Sequence, residues 1–317
     1  IAQCLVGSEM CIRDRNIPDK FLEGEIRDGF YVENMMKKAW AAQLEVLNEV
    51  DKICRQYDIK YFADWGTLLG AIRHKGFVPW DDDMDITMKR QDYIRFCQIV
   101  QQQQGEIEII NVHTDSDWTD MLSRVINGRI INYNPEHMKK YHGFPYIAGI
   151  DIFPLDYVAP TKEEDELQCN MISIVGSFAD VVRRADTSQE EKVQVKKEIE
   201  NLCGVKFNDT EPLSAQLLKL TERLAMMYSE EESHAVALMG DHAGPRPLDV
   251  YPKEYYSESI YVPFEYTTIP VPIGYENILK RKYGEDYMIP YLGGTNHEYP
   301  FYRKQQRQEY IQRGINV

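Results

Sequence analysis

Four aspartates at positions 81, 82, 83 and 85 lead into an alternating segment, DDDMDITMKR. Side chains on a β-strand point alternately to opposite faces. A strand over residues 83–88 would therefore present Asp83 and Asp85 on one face and apolar side chains on the other. Asp81 would extend the acidic face, while Asp82 would point away from its neighbours. A strand that buries one face and exposes its acids on the other is a rigid base for a metal site.

Neighbouring carboxylates on one strand face lie about 6–7 Å apart, so they repel one another and raise each other's pKa. A divalent cation relieves that repulsion, and oxygen ligands suit Mg²⁺ or Mn²⁺. The alternatives are a solvated acidic turn and a calcium loop. The alternating apolar residues disfavour a turn, and an EF-hand would need a Gly and a closing Glu that are missing at the required offsets.

A further carboxylate for this site is expected in the segment GIDIFPLD. Asp151 alternates with Ile150 and Ile152, so it would project opposite an apolar face. The alternative is a surface acid on an edge strand. Asp156 follows Pro154 and is expected to cap a turn.

Phosphate-binding groups are predicted just before the aspartates. Gly66 and Thr67 precede a short helical stretch, where backbone N–H groups and a hydroxyl can bind phosphate oxygens. Thr67 could equally be an ordinary helix N-cap. Arg73 and Lys75 follow at the far end of that helix and could neutralise phosphate charge, although cations near a helix C-terminus need no functional reason.

The rest of the chain mixes helices and strands without a regular βαβ repeat, which favours an α+β fold. Apolar residues at spacings of three or four predict a helix over 32–57. Residues 161–235 are rich in charged helix-forming segments and predict a helical insertion. A short helix is predicted near 275–283. Strands are predicted at 59–64, 106–112, 121–127 and 147–153.

The composition narrows the possible classes of protein. A formal net charge of −15 argues against a nucleic-acid binder, which would show a basic face. The six cysteines form no CxxC pair, which indicates reduced thiols in a cytosolic protein. No apolar run is long enough for a transmembrane helix. Residues 1–15 are expected to be non-native or disordered, and residues 16–317 to form one catalytic domain.

The segment GTLLGAIRHKGFVPWDDDMDI resembles the signature of the LicD family, the phosphocholine transferases of bacterial surface polysaccharides. DIFPLD resembles the second motif of that family, and VPFEYTTIPVPIGYENILKRKYGEDYMIP resembles its closing segment. Fukutin-related proteins share a similar core. The resemblance covers most of residues 32–290. It implies a nucleotidyltransferase-like mixed sheet with flanking helices, with Asp83, Asp85 and Asp151 as metal ligands and Asp81 in the same cluster.

The function implied by this resemblance is a metal-dependent phosphotransferase. It would transfer a phospho-substituent, of which phosphocholine is the leading candidate, from CDP-choline or another CDP-linked donor. The acceptor would be a sugar hydroxyl of a cell-surface glycan such as lipopolysaccharide or teichoic acid. Asp151 or Asp81 would accept the hydroxyl proton. The alternatives are a nucleotidyltransferase that makes a CDP- or NDP-linked compound, and a non-catalytic nucleotide-binding relative. The expected location is the cytoplasm, including the surface of the inner membrane.

A choline-bearing donor would be recognised by aromatic faces or a carboxylate, because a quaternary ammonium group has no hydrogen-bond donor. Aromatic side chains near the motifs are candidates: Trp65, Trp80, Tyr133, Tyr141 and Tyr146. A ribitol or glycerol donor would instead need polar groups, for which the same region offers Asn132, Asn134 and His142.

Overall fold

The computed structural model describes residues 17–103, 105–244, 250–292 and 299–314. The N-terminal segment 1–15, expected to be non-native or disordered, lies outside these residues. The helices are α1 Asn34–Gln56, α2 Trp65–Arg73, α3 Arg90–Gln103, α4 Pro135–Lys140, α5 Lys162–Arg183, α6 Gln189–Cys203, α7 Leu213–Ala225, α8 Met239–His242, α9 Tyr275–Tyr283 and α10 Tyr302–Gln312. The strands are β1 Glu25–Arg27, β2 Phe30–Val32, β3 Phe62–Ala63, β4 Asp85–Lys89, β5 Glu108–Ile110, β6 Ser123–Ile126, β7 Gly149–Tyr157, β8 Ala235–Ala237, β9 Tyr251–Pro252, β10 Ser259–Phe264 and β11 Thr267–Pro272.

The main sheet is mixed, which confirms the predicted α+β class. Its strands follow the order β3-β4-β7-β6-β5, and β8 and β9 extend it from the end of β7. The central pair β4 and β7 is parallel, whereas β3, β6 and β8 each run antiparallel to their neighbours. Two hairpins, β1-β2 and β10-β11, lie outside this sheet. The arrangement is consistent with a nucleotidyltransferase-like core.

Helix α1 confirms the long amphipathic helix predicted for residues 32–57. Its apolar positions recur every three or four residues and are buried, as that spacing requires: Met36, Trp40, Leu44, Leu47, Val50 and Cys54. Trp40 stacks on Phe77 with ring centroids 4.7 Å apart. Since Phe77 lies in the segment between α2 and β4, this contact fixes the helix against the loop that carries the aspartates.

Strand β4 is shorter than predicted and begins only at Asp85. Its apolar side chains Ile86 and Met88 are fully buried, as is Met84 just before it, so the predicted alternation is confirmed. The expectation that Asp81 and Asp83 share a strand face with Asp85 is wrong. The chain turns at Val78, whose carbonyl accepts from the Asp81 N–H at 3.0 Å, and residues 81–84 form a loop.

Strand β7 is longer than predicted and runs through Asp156 to Tyr157. The expectation that Asp156 caps a turn is wrong, because it pairs with Ala237 of β8. Its carboxylate also accepts two hydrogen bonds from Arg90, at 2.6 and 2.7 Å. That buried bidentate ion pair makes an acid in a central strand tolerable, since a buried charge needs a partner.

Helices α5, α6 and α7 occupy most of the segment predicted as a helical insertion. They build a second hydrophobic cluster together with β8 and α8, centred on Val175, Leu217 and Met239. That 161–235 is an insertion in the domain stays a prediction. Helix α9 confirms the short helix predicted near 275–283, and α10 follows it. That helix is mostly polar and buries Tyr302 and Glu309, which explains why it has no apolar stripe to detect.

No helix in the described part of the chain is both long and apolar enough to cross a membrane.

Candidate active site

A row of ionisable side chains crosses the main sheet at one level. Asp85 of β4 is in register with Asp151 of β7, and Asp151 is in register with Arg124 of β6. On the other side, the N–H of Asp64 donates to the Asp85 carbonyl at 3.1 Å. Residues directly opposite one another on neighbouring strands share a face. The sheet therefore places Asp85, Asp151 and Arg124 side by side, and Asp64, which follows β3, lies next to Asp85.

The loop with the other aspartates is held next to this row by helix α1. The indole Nε1 of Trp40 donates to the Asp81 carbonyl at 3.2 Å, and Nε2 of Gln43 donates to the Asp82 carbonyl at 3.0 Å. One carboxylate oxygen from each of Asp81, Asp82 and Asp83 lies within 4.8 Å of the other two. The expectation that Asp82 points away from its neighbours is therefore wrong. Its buried carboxylate also accepts from the N–H of Phe301.

Removing the Gln43 amide should disturb the loop more than the fold. In Gln43→Met we expect kcat/KM to fall by about tenfold, because small displacements of catalytic groups are costly. The loss of stability should stay near about 1 kcal/mol, the usual net value of a hydrogen bond. The amide oxygen Oε1 is buried and has no partner among the described residues, which limits that loss further. Steady-state kinetics and urea denaturation measure the two effects.

The matched control for Gln43 is Lys52→Ala, on an exposed turn of the same helix. It should leave kinetics unchanged and stability within about 0.5 kcal/mol of wild type. A large loss of stability in Gln43→Met without any kinetic change would show that α1 has no part in placing the carboxylates.

The electrostatics of the carboxylates are dominated by burial and by their mutual repulsion. Burial raises the pKa of Asp85 well above its usual range, and Asp83, Asp151, Asp81 and Asp64 raise it further. Burial likewise raises the pKa of Asp81, with Asp83 as the next cause. The site thus concentrates negative charge that a cation would stabilise.

Asp151 occupies an interior strand, so the alternative of an edge-strand surface acid is excluded. Its two oxygens accept hydrogen bonds from Arg124 at 2.5 and 2.7 Å. Burial raises the pKa of Asp151, and Arg124 opposes that shift. No local pattern of residues marks Arg124 as part of a site, because only the pairing of β6 with β7 places it opposite Asp151.

Gly66 and Thr67 lie at the start of α2, where they shape the acidic site. A Cβ on Gly66 would lie 1.9 Å from an oxygen of Asp81, so any larger residue would displace the Asp81 carboxylate. The hydroxyl of Thr67 accepts from the N–H of Asp85 at 2.8 Å. The N-cap of α2 is Asp64, not Thr67, since the Asp64 side chain accepts from the Trp65 N–H. Phosphate binding by Gly66 and Thr67 stays a prediction.

Arg73 and Lys75 lie at the other end of α2. The Arg73 guanidinium donates to the carbonyl of Tyr287 at 2.9 Å, and Lys75 is exposed in a turn with a φ of 56°. In the part of the chain that the structure describes, neither side chain forms an ion pair with the carboxylates above. Their predicted role in binding substrate stays a prediction.

A cavity of about 200 Å³ adjoins the row at Asp64. Besides Asp64 and Trp65, its walls include Tyr256, Lys282 and Tyr283, so the C-terminal part of the chain completes the site. Of the five aromatic side chains singled out in the sequence, Trp65 lines this cavity. Tyr141 and Tyr146 are buried packing residues.

The arrangement fits a hard divalent cation, the group implied by the family resemblance. Its donors are carboxylate oxygens, which Mg²⁺ and Mn²⁺ prefer, and the pKa values of Asp81 and Asp85 are raised by burial and by uncompensated negative charge. A carboxylate with hydrogen bonds to Arg124 still has lone pairs for a cation, so Asp151 can still serve as a ligand. Metal binding by Asp83, Asp85 and Asp151 stays a prediction.

Comparison with known proteins points in the same direction. Residues 58–168 match the family model described as LicD/FKTN/FKRP, nucleotidyltransferase domain. A Haemophilus influenzae protein named lipopolysaccharide cholinephosphotransferase LicD is 29% identical over 259 residues, which cover 78% of this chain and 89% of that protein. Uncharacterised proteins from Rickettsia typhi and Rickettsia prowazekii are 41% and 40% identical over 58 residues, about a fifth of each protein and 18% of this chain.

Proposed function

From the match of residues 58–168 to the LicD/FKTN/FKRP nucleotidyltransferase domain, we propose that the chain transfers phosphocholine from CDP-choline to a sugar hydroxyl of a cell-surface glycan. The observation that carries the proposal is the row of Asp64, Asp85 and Asp151 across the sheet, with Asp81 and Asp83 beside it. The prediction of a phosphotransferase agrees with the name of the Haemophilus influenzae relative.

The residues of the site have distinct tasks in this reaction. Asp83, Asp85 and Asp151 would bind Mg²⁺ or Mn²⁺, which when bound would neutralise negative charge on the phosphate oxygens. Arg124 holds Asp151 in place through two hydrogen bonds. Thr67 fixes the backbone of Asp85. Together these contacts keep the carboxylates in one geometry, which phosphoryl transfer requires because positioning and electrostatics supply most of the rate.

The reaction itself is a substitution at the phosphorus atom that carries choline. The acceptor hydroxyl oxygen forms a bond to that phosphorus, and the bond to the oxygen of CMP breaks. The hydroxyl proton passes to a carboxylate, for which Asp81 is suited because its raised pKa makes it a better proton acceptor. Asp151 is the other candidate, since burial raises its pKa as well, although Arg124 opposes that shift.

Product analysis tests the proposal. The purified chain is incubated with Mg²⁺, lipopolysaccharide and CDP-choline, CDP-ethanolamine or CDP-glycerol, and CMP is measured. Release of CMP that needs the acceptor and is fastest with CDP-choline is the expected result. A preference for CDP-glycerol would overturn the choline assignment. Pyrophosphate release from CTP and phosphocholine would identify a nucleotidyltransferase instead, and no turnover in any mixture would favour a non-catalytic relative.

The geometry of the site gives the helical segment α5–α7 no role in this chemistry. It packs into its own hydrophobic cluster, which also includes part of β8 and α8. We propose that it contributes to the choice of acceptor. Exchange of 161–235 with the corresponding segment of a relative that uses another acceptor should change acceptor preference and leave donor preference unaltered.

A further inference from the structure

The cavity beside Asp64 has the chemical character of a site for an organic cation. Its volume is about 200 Å³, and aromatic and aliphatic side chains form much of its wall, including Trp65, Tyr256, Tyr283 and Leu155. Tyr256 is buried, so its ring is fixed in the wall. Aromatic faces of this kind attract methyl groups and a diffuse positive charge.

The cavity wall already holds one cation. The Nζ atom of Lys282 lies 3.8 Å from the centroid of the Trp65 ring and 2.5 Å from Oδ1 of Asp64. Only 9% of the Lys282 side chain is exposed. An aromatic face combined with a carboxylate therefore stabilises a nearly buried positive charge at this place.

Charged groups of both signs surround the cavity, whose wall contains Asp64, Arg281 and Lys282. Lys282 interacts with both Asp64 and Asp241, and burial raises the pKa of Asp241. Tyr283 lies close to Asp64, Asp81 and Asp85, which all raise the pKa of its hydroxyl after burial. Lys282 and Arg281 supply positive charge to the same wall. Asp241, Asp81 and Asp85 add negative charge close to the wall.

The cavity lies next to the carboxylate row, as a site for the ammonium of phosphocholine would have to. Two carbon atoms link the ammonium to the phosphate ester, so the ammonium must bind next to the reacting phosphorus. The cavity begins at Asp64, whose backbone is hydrogen-bonded to Asp85. An ammonium in the cavity would thus leave the phosphate at the carboxylates.

We propose that this cavity binds the trimethylammonium group of the donor against Trp65, Tyr256 and Tyr283, with Asp64 as the counter-charge. The inference rests on the proposed function for the identity of the donor. It assigns donor specificity to residues from both ends of the chain, because Asp64 and Trp65 precede the aspartate loop while Tyr256 and Tyr283 follow the helical segment.

Isothermal titration of CDP-choline and CDP-glycerol tests the cavity without any need for turnover. In Tyr283→Leu the dissociation constant of CDP-choline should rise about tenfold, the loss expected for one aromatic wall, while that of CDP-glycerol stays within about twofold. Tyr283→Phe keeps the ring and should bind both donors like wild type. Tyr31→Leu, an exposed tyrosine on β2, is the control for general effects of the substitution.

Lys282→Met separates this proposal from a phosphate site. If the cavity binds the ammonium, loss of Lys282 leaves Asp64 free to attract it, and CDP-choline should bind equally well or more tightly. If Lys282 binds phosphate, both donors should bind more weakly, which would overturn the proposal. An equal loss of both donors in Tyr283→Leu would overturn it as well. Absence of CMP release by the wild-type chain would refute the proposed function. The binding measurements instead test whether the cavity binds the ammonium group.

Discussion

Replacing Asp85 by asparagine is expected to lower kcat/KM for CMP release by about a thousandfold, the size of loss seen when a key electrostatic group is removed. The reason is its central position, since Asp64, Asp81, Asp83 and Asp151 all act on it. Asp83→Asn should have a similar effect. Activity of either variant within about tenfold of wild type would contradict the assignment of these carboxylates.

The same substitution should stabilise the metal-free protein. Burial and like charges raise the pKa of Asp85 in the folded state, so its charged form opposes folding above the usual pKa of a carboxyl group. Asp85→Asn removes that charge. Its gain in melting temperature should be largest at neutral pH and should vanish as the pH falls to the usual carboxyl range, where wild-type Asp85 is protonated in both states.

The effect of metal on the melting temperature is a second test of the site. Mg²⁺ or Mn²⁺ should raise the melting temperature of wild type, because a ligand bound only by the folded state stabilises it, and should leave Asp85→Asn nearly unchanged. Asp209→Asn is the control, since its side chain is 96% exposed and pairs with Lys196 rather than with other acids. This control should keep the full metal-dependent shift. A shift of equal size in both variants would place the metal elsewhere.

Among single substitutions that break an ion pair of this chain, Asp156→Ala is expected to be the most destabilising. Its carboxylate and the Arg90 guanidinium are both buried and joined by two hydrogen bonds. Alanine would leave a buried, unpaired guanidinium, which costs about 3–5 kcal/mol. For a chain of this size the melting temperature should fall by about 10 °C, as thermal unfolding followed by circular dichroism would measure.

Two further variants identify the cause of that loss. Arg90→Met combined with Asp156→Leu removes both charges and should recover much of the stability, because apolar pairs can replace a buried ion pair. Glu166→Ala breaks an exposed pair with Lys162 and should cost no more than about 0.5 kcal/mol. If Asp156→Ala were as mild as Glu166→Ala, the pair would not support the junction of β4, α3 and β7.

Local sequence patterns were sufficient to identify the elements with strong periodicity. The apolar spacing of α1 and the alternation of Met84, Ile86 and Met88 predicted which faces are buried, and both predictions are confirmed. The unusual density of aspartates at 81–85 located the acidic loop, because no ordinary structural role requires so many like charges together. These features depend on residues close together in the chain, so the sequence alone contains them.

Pairings between distant segments decided the rest. Asp64 and Arg124 join the row only because β3 and β6 flank β4 and β7, and Asp156 is buried only because Arg90 reaches it from α3. Trp40 and Gln43, about forty residues earlier, donate hydrogen bonds to the carbonyls of Asp81 and Asp82 and so hold this loop in place. Tyr256, Lys282 and Tyr283 complete the cavity from the far end of the chain. A side chain's partner across the sheet depends on strand order and register, which no local pattern of residue types encodes.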